Sequence, residues 1–450
     1  MHRTTNTLWR ARRRTATRIA ALTTATVVAA ALLPAARAEA VPLRGNSGWS
    51  VLLCKFSDVS AQPQTPTFFS RMFGAAGAGQ EGLYDYYRDQ SYGKVRISAT
   101  VRGWYTMPFT KAQEAAKSRG QKIADCVQTA ADNGYTVPAG NRIAVITNAQ
   151  QDSGAAGGRV LLDPLAWNIR FAAHEMGHSY GLDHSFSNDT TYQNATWSQP
   201  GEYDDMWDEM SAQHVYGFNT PYFGNGGVGF NAFGRDKLGF IPRNRILTFG
   251  ANDATSGTVR LAALQRPAAS GPLLVRVPFD PADLFHYYTV EYQRKLGWSR
   301  GIPTDTVLIH EVRNGRPTLL RQLSVAGKPP LQQLSANGVS IRVTGLSGDN
   351  ATVSITSNIP SRCLQGWVWR EARVGDRVCV TGATRTQTAA DNSVRFSRWV
   401  DGAYGPHTCV QGYVWREAFP GDDVCVTGET RTQAAADNAQ TAARVLRTSG

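Results

Sequence analysis

The chain has 450 residues and a formal net charge of +12. Residues 1–38 hold seven arginines and no acidic residue, so the remainder carries only +5. A charge this small over some 410 residues gives no reason to infer a nucleic-acid partner. That length is also too great for a single hydrophobic core, so we expect several domains.

The N-terminal segment, residues 1–38, has the three parts of a secretory signal peptide. Arginines between Arg10 and Arg18 precede an apolar run, Ile19–Leu33, and Ala36-Arg37-Ala38 offers a cleavage site. The alternative is a membrane anchor, but about fifteen apolar residues are short for a bilayer span. No other segment is long and apolar enough. We therefore expect a secreted, extracellular protein without a membrane anchor.

Strand and helix signals alternate from residue 45 to residue 245, which predicts an α/β (α+β) domain. The predicted strands are Trp49–Phe56, Arg142–Thr147 and Arg159–Leu162. The predicted helices are Gly82–Gln90 and Ala112–Asn133, the second with Ala116, Ile123, Cys126, Val127 and Ala130 along one face. Asp163-Pro164 marks the entry to a further helix, with Trp167, Ile169 and Phe171 available for its buried side.

That last helix carries the most informative stretch of the chain, His-Glu-Met-Gly-His-Ser-Tyr-Gly-Leu-Asp-His at residues 174–184. His174 and His178 lie one helical turn apart on one face, so both imidazoles can reach one metal ion. Gly181 can take a positive φ, which ends the helix and returns His184 as a third ligand. Three histidines with an open fourth position are typical of a catalytic zinc site, and Glu175 is placed to act as its general base.

After residue 245 the helical periodicity fades, and short β-branched runs are separated by Gly, Pro, Asn and Asp. This pattern predicts a β-sandwich-like domain over residues 246–358. Its predicted strands are Leu273–Val277, Tyr287–Tyr292, Thr306–Val312, Val339–Val343 and Ala351–Ile355.

Residues 361–450 contain a tandem repeat. Residues 363–392 and 409–438 align without a gap, and 23 of the 30 positions are identical. Each copy carries two cysteines at the same points, which predicts the disulfides Cys363–Cys379 and Cys409–Cys425. Cys54 and Cys126 then form a third pair by elimination. The alternative, in which Cys54 caps the zinc as an inhibitory thiolate, conflicts with its place in a buried strand.

Aromatic residues alternate at strand spacing in both repeats, as Trp367 with Trp369 and Tyr413 with Trp415. Exposed rings could stack on sugar rings or polymer surfaces, whereas buried rings would form the core of a small unit. The usual burial of tryptophan favours the core. Contact with a polymer or the cell wall stays an open hypothesis.

The motif at residues 174–184 is the signature of the metzincin zinc peptidases, and the chain resembles that clan. Glu202-Tyr203-x-Asp-x-x-Asp-x-Met210 is similar to the methionine turn of immune-inhibitor-A-type and gametolysin-type peptidases, and weaker likeness spans residues 50–312. The resemblance implies a metzincin-like domain in which Met210 packs beneath the zinc ligands. Gly-Tyr-Val-Trp-Arg-Glu-Ala in the repeats resembles a repeat of secreted actinobacterial proteins.

Two features of the turn are less clear from the sequence. Some metzincins carry a tyrosine two residues after the turn methionine that assists in the transition state, whereas this chain has Ala212 at that position. Tyr216 and His214 lie nearby and are interpreted as packing or surface residues. The acidic side chains of the turn are more typical of a solvated turn than of a calcium site, although Ca²⁺ stays a weak possibility; they are Asp204, Asp205, Asp208 and Glu209.

These observations predict a secreted zinc endopeptidase that acts on protein or peptide substrates. One alternative is an inactive relative that uses the fold to hold a partner, which the presence of Glu175 argues against. Another is a zinc hydrolase of cell-wall amide bonds. Substrate preference depends on loops such as residues 185–200 and does not follow from the sequence.

Overall fold

The computed structural model describes residues 43–444 except 191–197, 250–254, 281–285, 325–331, 358–362, 365, 374 and 403–404. The predicted signal peptide and part of the loop at residues 185–200 therefore lie outside the described residues. Within the described part of the chain, no helix has the length and hydropathy needed to span a bilayer.

Five strands form the sheet of the first domain, in the order β2-β1-β3-β5-β4. They are β1 Gly45–Lys55, β2 Val95–Thr106, β3 Arg142–Thr147, β4 Gly154–Ala156 and β5 Arg159–Leu162. Four of them run parallel, and β4 lies antiparallel to β5 at one edge. The sequence predicted β1, β3 and β5 but not β2 or β4.

Helices cover both faces of this sheet. Side chains of β1 point alternately to the two faces, so each face contributes to a core of its own. Trp49, Val51 and Leu53 face a core shared with the helix of the histidine motif. Leu52 and Cys54 face a second core, which contains Ile123, Cys126 and Ala130. The helices of the domain are α1 Pro66–Phe73, α2 Leu83–Gln90, α3 Lys111–Ala115, α4 Arg119–Asp132, α5 Ile169–Ser179 and α6 Ala232–Lys237. The α/β prediction is confirmed.

The helix predicted over Ala112–Asn133 is in fact two helices. Thr110 and Gln113 form a capping box at the start of α3, and Ser118 caps α4 by accepting a hydrogen bond from the Gln121 N–H. Two N-terminal caps eight residues apart start two separate helices. Ala116 falls at the break and is exposed, so its predicted place on the buried face is wrong.

Two further sheets enclose one hydrophobic core, the arrangement of a β-sandwich. The first has the order β10-β17-β16-β15, and the second β6-β14-β13-β12-β11-β9. The strands of the chain from residue 186 to residue 357 are β6 Phe186–Ser187, β7 Phe218–Asn219, β8 Asn225–Gly226, β9 Ile246–Thr248, β10 Ser256–Ala262, β11 Leu274–Pro278, β12 Tyr287–Gln293, β13 Thr306–Arg313, β14 Arg316–Leu323, β15 Gln333–Ala336, β16 Val339–Ser347 and β17 Asn350–Ser357. The edge strand β6 comes from the first domain, directly after the histidine motif.

The two repeats have matching elements. The first contains β18 Val368–Trp369, β19 Cys379–Val380 and α7 Gly382–Val394. A hairpin of β20 Trp399–Gly402 and β21 Gly405–Cys409 leads to the second, which contains β22 Val414–Trp415, β23 Cys425–Val426, α8 Gly428–Ala439 and α9 Thr441–Arg444. All three predicted disulfides are present, so Cys54 is bonded to Cys126 rather than available to a metal.

The repeats hold each other through reciprocal arginine contacts. Arg370 donates to the Ala418 carbonyl oxygen at 2.9 Å, and its equivalent Arg416 donates to the Ala372 oxygen at 3.4 Å. Arg398 and Arg444 also reach across, and each guanidinium lies over an aromatic ring of the other repeat, Tyr413 and Trp367 respectively. The half-buried aromatic residues therefore belong to the packing of a two-repeat unit, the interpretation that the sequence favoured.

Candidate metal centre

Local sequence signals place the helix that carries the histidine motif. Asn168 caps α5 by accepting a hydrogen bond from the Phe171 N–H at 3.0 Å. At the other end Gly181 has φ +92°, and the Leu182 N–H donates to the Gly177 carbonyl oxygen, which is the closure typical of a glycine-terminated helix. Ile169 is buried as predicted, whereas Trp167 precedes the helix and Phe171 is only half-buried.

The structure brings the three predicted metal ligands together. One ring nitrogen from each of His174, His178 and His184 lies within 4.8 Å of the others. The Nε2 atoms of His174 and His178 are 3.0 Å apart. Among the described residues, these histidines are the only group of three or more His, Cys, Asp or Glu side chains close enough to hold one ion.

Each histidine is oriented by a hydrogen bond at its other nitrogen. His174 Nδ1 lies 3.0 Å from the Glu209 carbonyl oxygen, and His178 Nδ1 lies 2.8 Å from the Leu182 carbonyl oxygen. His184 Nδ1 lies 2.5 Å from Glu202 Oε1. Carbonyl and carboxylate oxygens can only accept, so each Nδ1 carries a proton and, in the neutral ring, each Nε2 presents a lone pair.

The convergence of these lone pairs tests whether a metal ion suits the site. Two neutral imidazole nitrogens facing each other at 3.0 Å repel unless a cation lies between them. Burial favours the neutral form, lowering the pKa of His174 well below its ordinary value and that of His178 to about 4. Three neutral nitrogen donors with carbonyl and carboxylate partners behind them fit zinc.

Met210 packs directly against the ligand helix. A Cβ built on Gly177, between the two helix histidines, would lie 2.6 Å from Met210 Sδ. Met210 itself is 2 % exposed and belongs to the main core of the domain. The absence of a side chain at Gly177 therefore leaves the space that Met210, 33 positions later, occupies.

Glu175 is buried beside the histidines, on the side of the edge strand β4. Burial raises the pKa of its carboxyl group to about 7, while the nearby charge of Arg119 and a hydrogen bond from the Ala155 N–H act in the opposite direction. A carboxyl group with a pKa near neutral can accept and return a proton at physiological pH.

Tyr203 is a site residue that the sequence analysis did not identify. Its hydroxyl lies 3.0 Å from His184 Nε2, and its backbone takes the rare φ of +67°. The tyrosine at the site thus precedes Met210 in the chain, whereas the position two residues after Met210 is Ala212. The signal lay in Glu202-Tyr203, since both residues contact the same imidazole. Tyr216 packs against Trp207, as predicted.

The acidic residues of the turn are not solvated, so that expectation is wrong. Asp205 is fully buried and pairs with His310 Nε2 at 3.0 Å, and Asp208 accepts hydrogen bonds from the Ser185 hydroxyl and the Asn231 N–H. Asp204 and Glu209 are buried as well. Asp205 and Asp208 hold the turn to its neighbours through these contacts, whereas neither carboxylate oxygen of Glu209 has a hydrogen-bond partner among the described residues.

Comparison with known proteins adds nothing to this geometry, since neither the known protein families nor the curated proteins contain a match to this chain.

Proposed function

We propose that this chain is a secreted zinc-dependent endopeptidase with a metzincin-like catalytic domain. The observation that carries the proposal is the convergence of three Nε2 lone pairs, each fixed by an acceptor at Nδ1, beside the buried Glu175. The packing of Met210 against Gly177 supports the metzincin-like arrangement.

His174, His178 and His184 would hold the ion. When bound, zinc acts as a Lewis acid toward the scissile carbonyl and lowers the pKa of a coordinated water to about 7. The protein's part is to present three neutral nitrogens in a fixed geometry and to leave one side open.

Glu175 would act as the general base and then the general acid. Its carboxylate accepts the proton of the attacking water and later delivers a proton to the leaving amine. A pKa of about 7 suits both steps near neutral pH. The Ala155 N–H would orient the carboxylate in the absence of substrate.

Tyr203 would assist by donating a hydrogen bond. Its hydroxyl lies 3.0 Å from the nitrogen of His184 that would face the ion, so with an ion bound the hydroxyl would turn to the scissile oxygen, on which negative charge develops. A preorganised donor at that position stabilises the transition state more than the ground state.

The test is hydrolysis of an unfolded protein such as casein by the full secreted chain. We expect activity that disappears with a chelator, returns with Zn²⁺, and falls by about 100-fold or more in Glu175→Gln with zinc content unchanged. Glu429→Gln, an exposed change on α8, is the control and should keep full activity. A wild-type chain that holds one zinc yet cleaves no protein would contradict the proposal and favour a binding function or another amide bond.

A further inference from the structure

Arg119 extends from the first position of α4 to the edge strand beside the candidate metal centre. Its Nη1 donates to the Ala155 carbonyl oxygen at 3.1 Å, and its Nε donates to the Asp152 carbonyl oxygen at 3.3 Å. A Cβ built on Gly154 would lie 2.5 Å from Arg119 Cζ. The guanidinium therefore rests on the backbone of β4 at a position that only glycine leaves open.

The same residue of β4 contacts both Arg119 and the proposed general base. The Ala155 N–H faces the Glu175 carboxylate, while its carbonyl oxygen accepts from Arg119. Burial has the largest effect on the pKa values of Glu175, His178 and Tyr203, but the charge of Arg119 lowers all three. Through its contact with Ala155, the guanidinium lies on the Glu175 side of the candidate metal centre.

Arg119 also retains capacity to bind a ligand. Three of its five N–H groups have acceptors in the described part of the chain, which leaves one N–H on each terminal nitrogen. Its side chain is 31 % exposed, and its ionic partner Asp152 is 53 % exposed. A pair this exposed contributes little to stability and can open or exchange at small cost.

We propose that Arg119 binds a substrate carboxylate, so that the enzyme prefers peptides with an acidic side chain close to the scissile bond. This inference rests on the proposed peptidase function and assigns a substrate class to it. A planar guanidinium fixed by three hydrogen bonds is suited to a carboxylate, because the remaining N–H groups keep a defined direction. In the absence of an acidic substrate, Asp152 forms the ion pair with the guanidinium.

The experiment uses pairs of fluorogenic peptides that differ only by Glu or Gln at one position on either side of the scissile bond. Both cleavage and equilibrium binding are measured with the zinc-loaded full chain. At one position we expect the wild type to favour Glu by about tenfold, the size of one charge-assisted hydrogen bond. Arg119→Gln should abolish this preference, which is measured as the ratio of the rates on the Glu and Gln peptides, so that any change at Glu175 that affects both peptides alike cancels.

Two further variants separate recognition from support of the strand. Asp152→Asn removes the competing carboxylate and should increase the preference for Glu. Arg260→Gln, at an exposed position of β10, removes a distant charge and should change nothing.

Three outcomes would overturn the assignment: no preference for Glu at any position, a preference that survives in Arg119→Gln, or an equal loss on both peptides. If the zinc-loaded chain cleaves no peptide at all, the proposed function fails. The binding measurements then still decide whether Arg119 distinguishes Glu from Gln.

Discussion

The two histidines on α5 and the third histidine reach the same point by different means. His174 and His178 are placed by a short helix, and backbone carbonyl oxygens hold their rings. His184 follows the helix and is held by a side chain, Glu202, with Tyr203 at its other nitrogen. Of the two helix ligands, only His178 is held by a partner close to it in the chain, whereas His174 and His184 both depend on the turn that contains Glu202 and Glu209.

The β-sandwich supports the turn that carries Glu202 and Tyr203. Strand β6, which begins two residues after His184, pairs with β14. His310 on β13 pairs with the buried Asp205, and Gln293 on β12 donates to the Trp207 carbonyl oxygen. The β-sandwich therefore supports the candidate metal centre, because its strands contact the turn that carries Glu202 and Tyr203.

The largest effect is expected from breaking the His310–Asp205 pair. Burial lowers the pKa of His310, but the hydrogen bond and charge of Asp205 raise it above the ordinary value. His310→Leu leaves a buried carboxylate without its partner and should cost about 3–5 kcal/mol of unfolding free energy. Because the turn loses its support, zinc affinity should fall as well. Urea unfolding and a chelator competition measure the two effects.

His286→Leu is the matched control for that variant. His286 also pairs with a carboxylate of β13, lying 2.6 Å from Glu311 Oε1, but Glu311 follows His310 in the strand, so its side chain points to the opposite face of the sheet from Asp205. We expect some loss of stability and unchanged zinc affinity. Wild-type zinc affinity in His310→Leu would show that the third ligand does not depend on the sandwich.

A pH titration of the metal-free protein tests the helix half of the comparison. The folded-state pKa of His178, lowered by burial to about 4, lies below the unfolded value of about 6.5. The unfolded state then binds more protons between these values, so stability is present above pH 6.5 and is lost as pH falls toward 4, by up to about 3 kcal/mol. Unfolding curves across this range measure the slope. If the His178→Gln variant shows the same dependence of stability on pH as the wild type, groups other than His178 cause that dependence.

Gly177→Ala tests the contact beneath the helix ligands. The new methyl group would meet Met210 Sδ at 2.6 Å, so either the methionine or the helix must shift, at a cost of about 1–3 kcal/mol. Gly120→Ala is the control, since that glycine of α4 has open space around its Cβ position and should gain up to about 1 kcal/mol. Thermal unfolding should show a lower melting temperature for Gly177→Ala and a melting temperature no lower than that of the wild type for Gly120→Ala. Equal effects would mean that the methionine does not constrain the helix.

The contrast between the two halves also explains what the sequence could predict. Helix geometry and a turn at Gly181 bring His174, His178 and His184 together, so the motif alone predicts that these three side chains converge. The buried state of Asp205 depends on a strand more than 100 residues downstream, and no local pattern shows that His310 will face Asp205. The same holds for β2, whose pairing with β1 joins residues about 50 positions apart.

Glu202→Gln examines the third ligand alone and should have the smallest effect on stability. The amide can still accept the hydrogen bond from His184 Nδ1, but it no longer strengthens the imidazole as a donor. Loss of such a partner typically lowers metal affinity by about 10–100-fold. Asp183→Asn is the control, because that exposed carboxylate adjoins His184 in sequence but pairs with Lys237. Chelator competition should separate the two variants by at least tenfold. If both bind zinc like the wild type, the carboxylate only orients the ring, and the two halves of the site are held in equivalent ways.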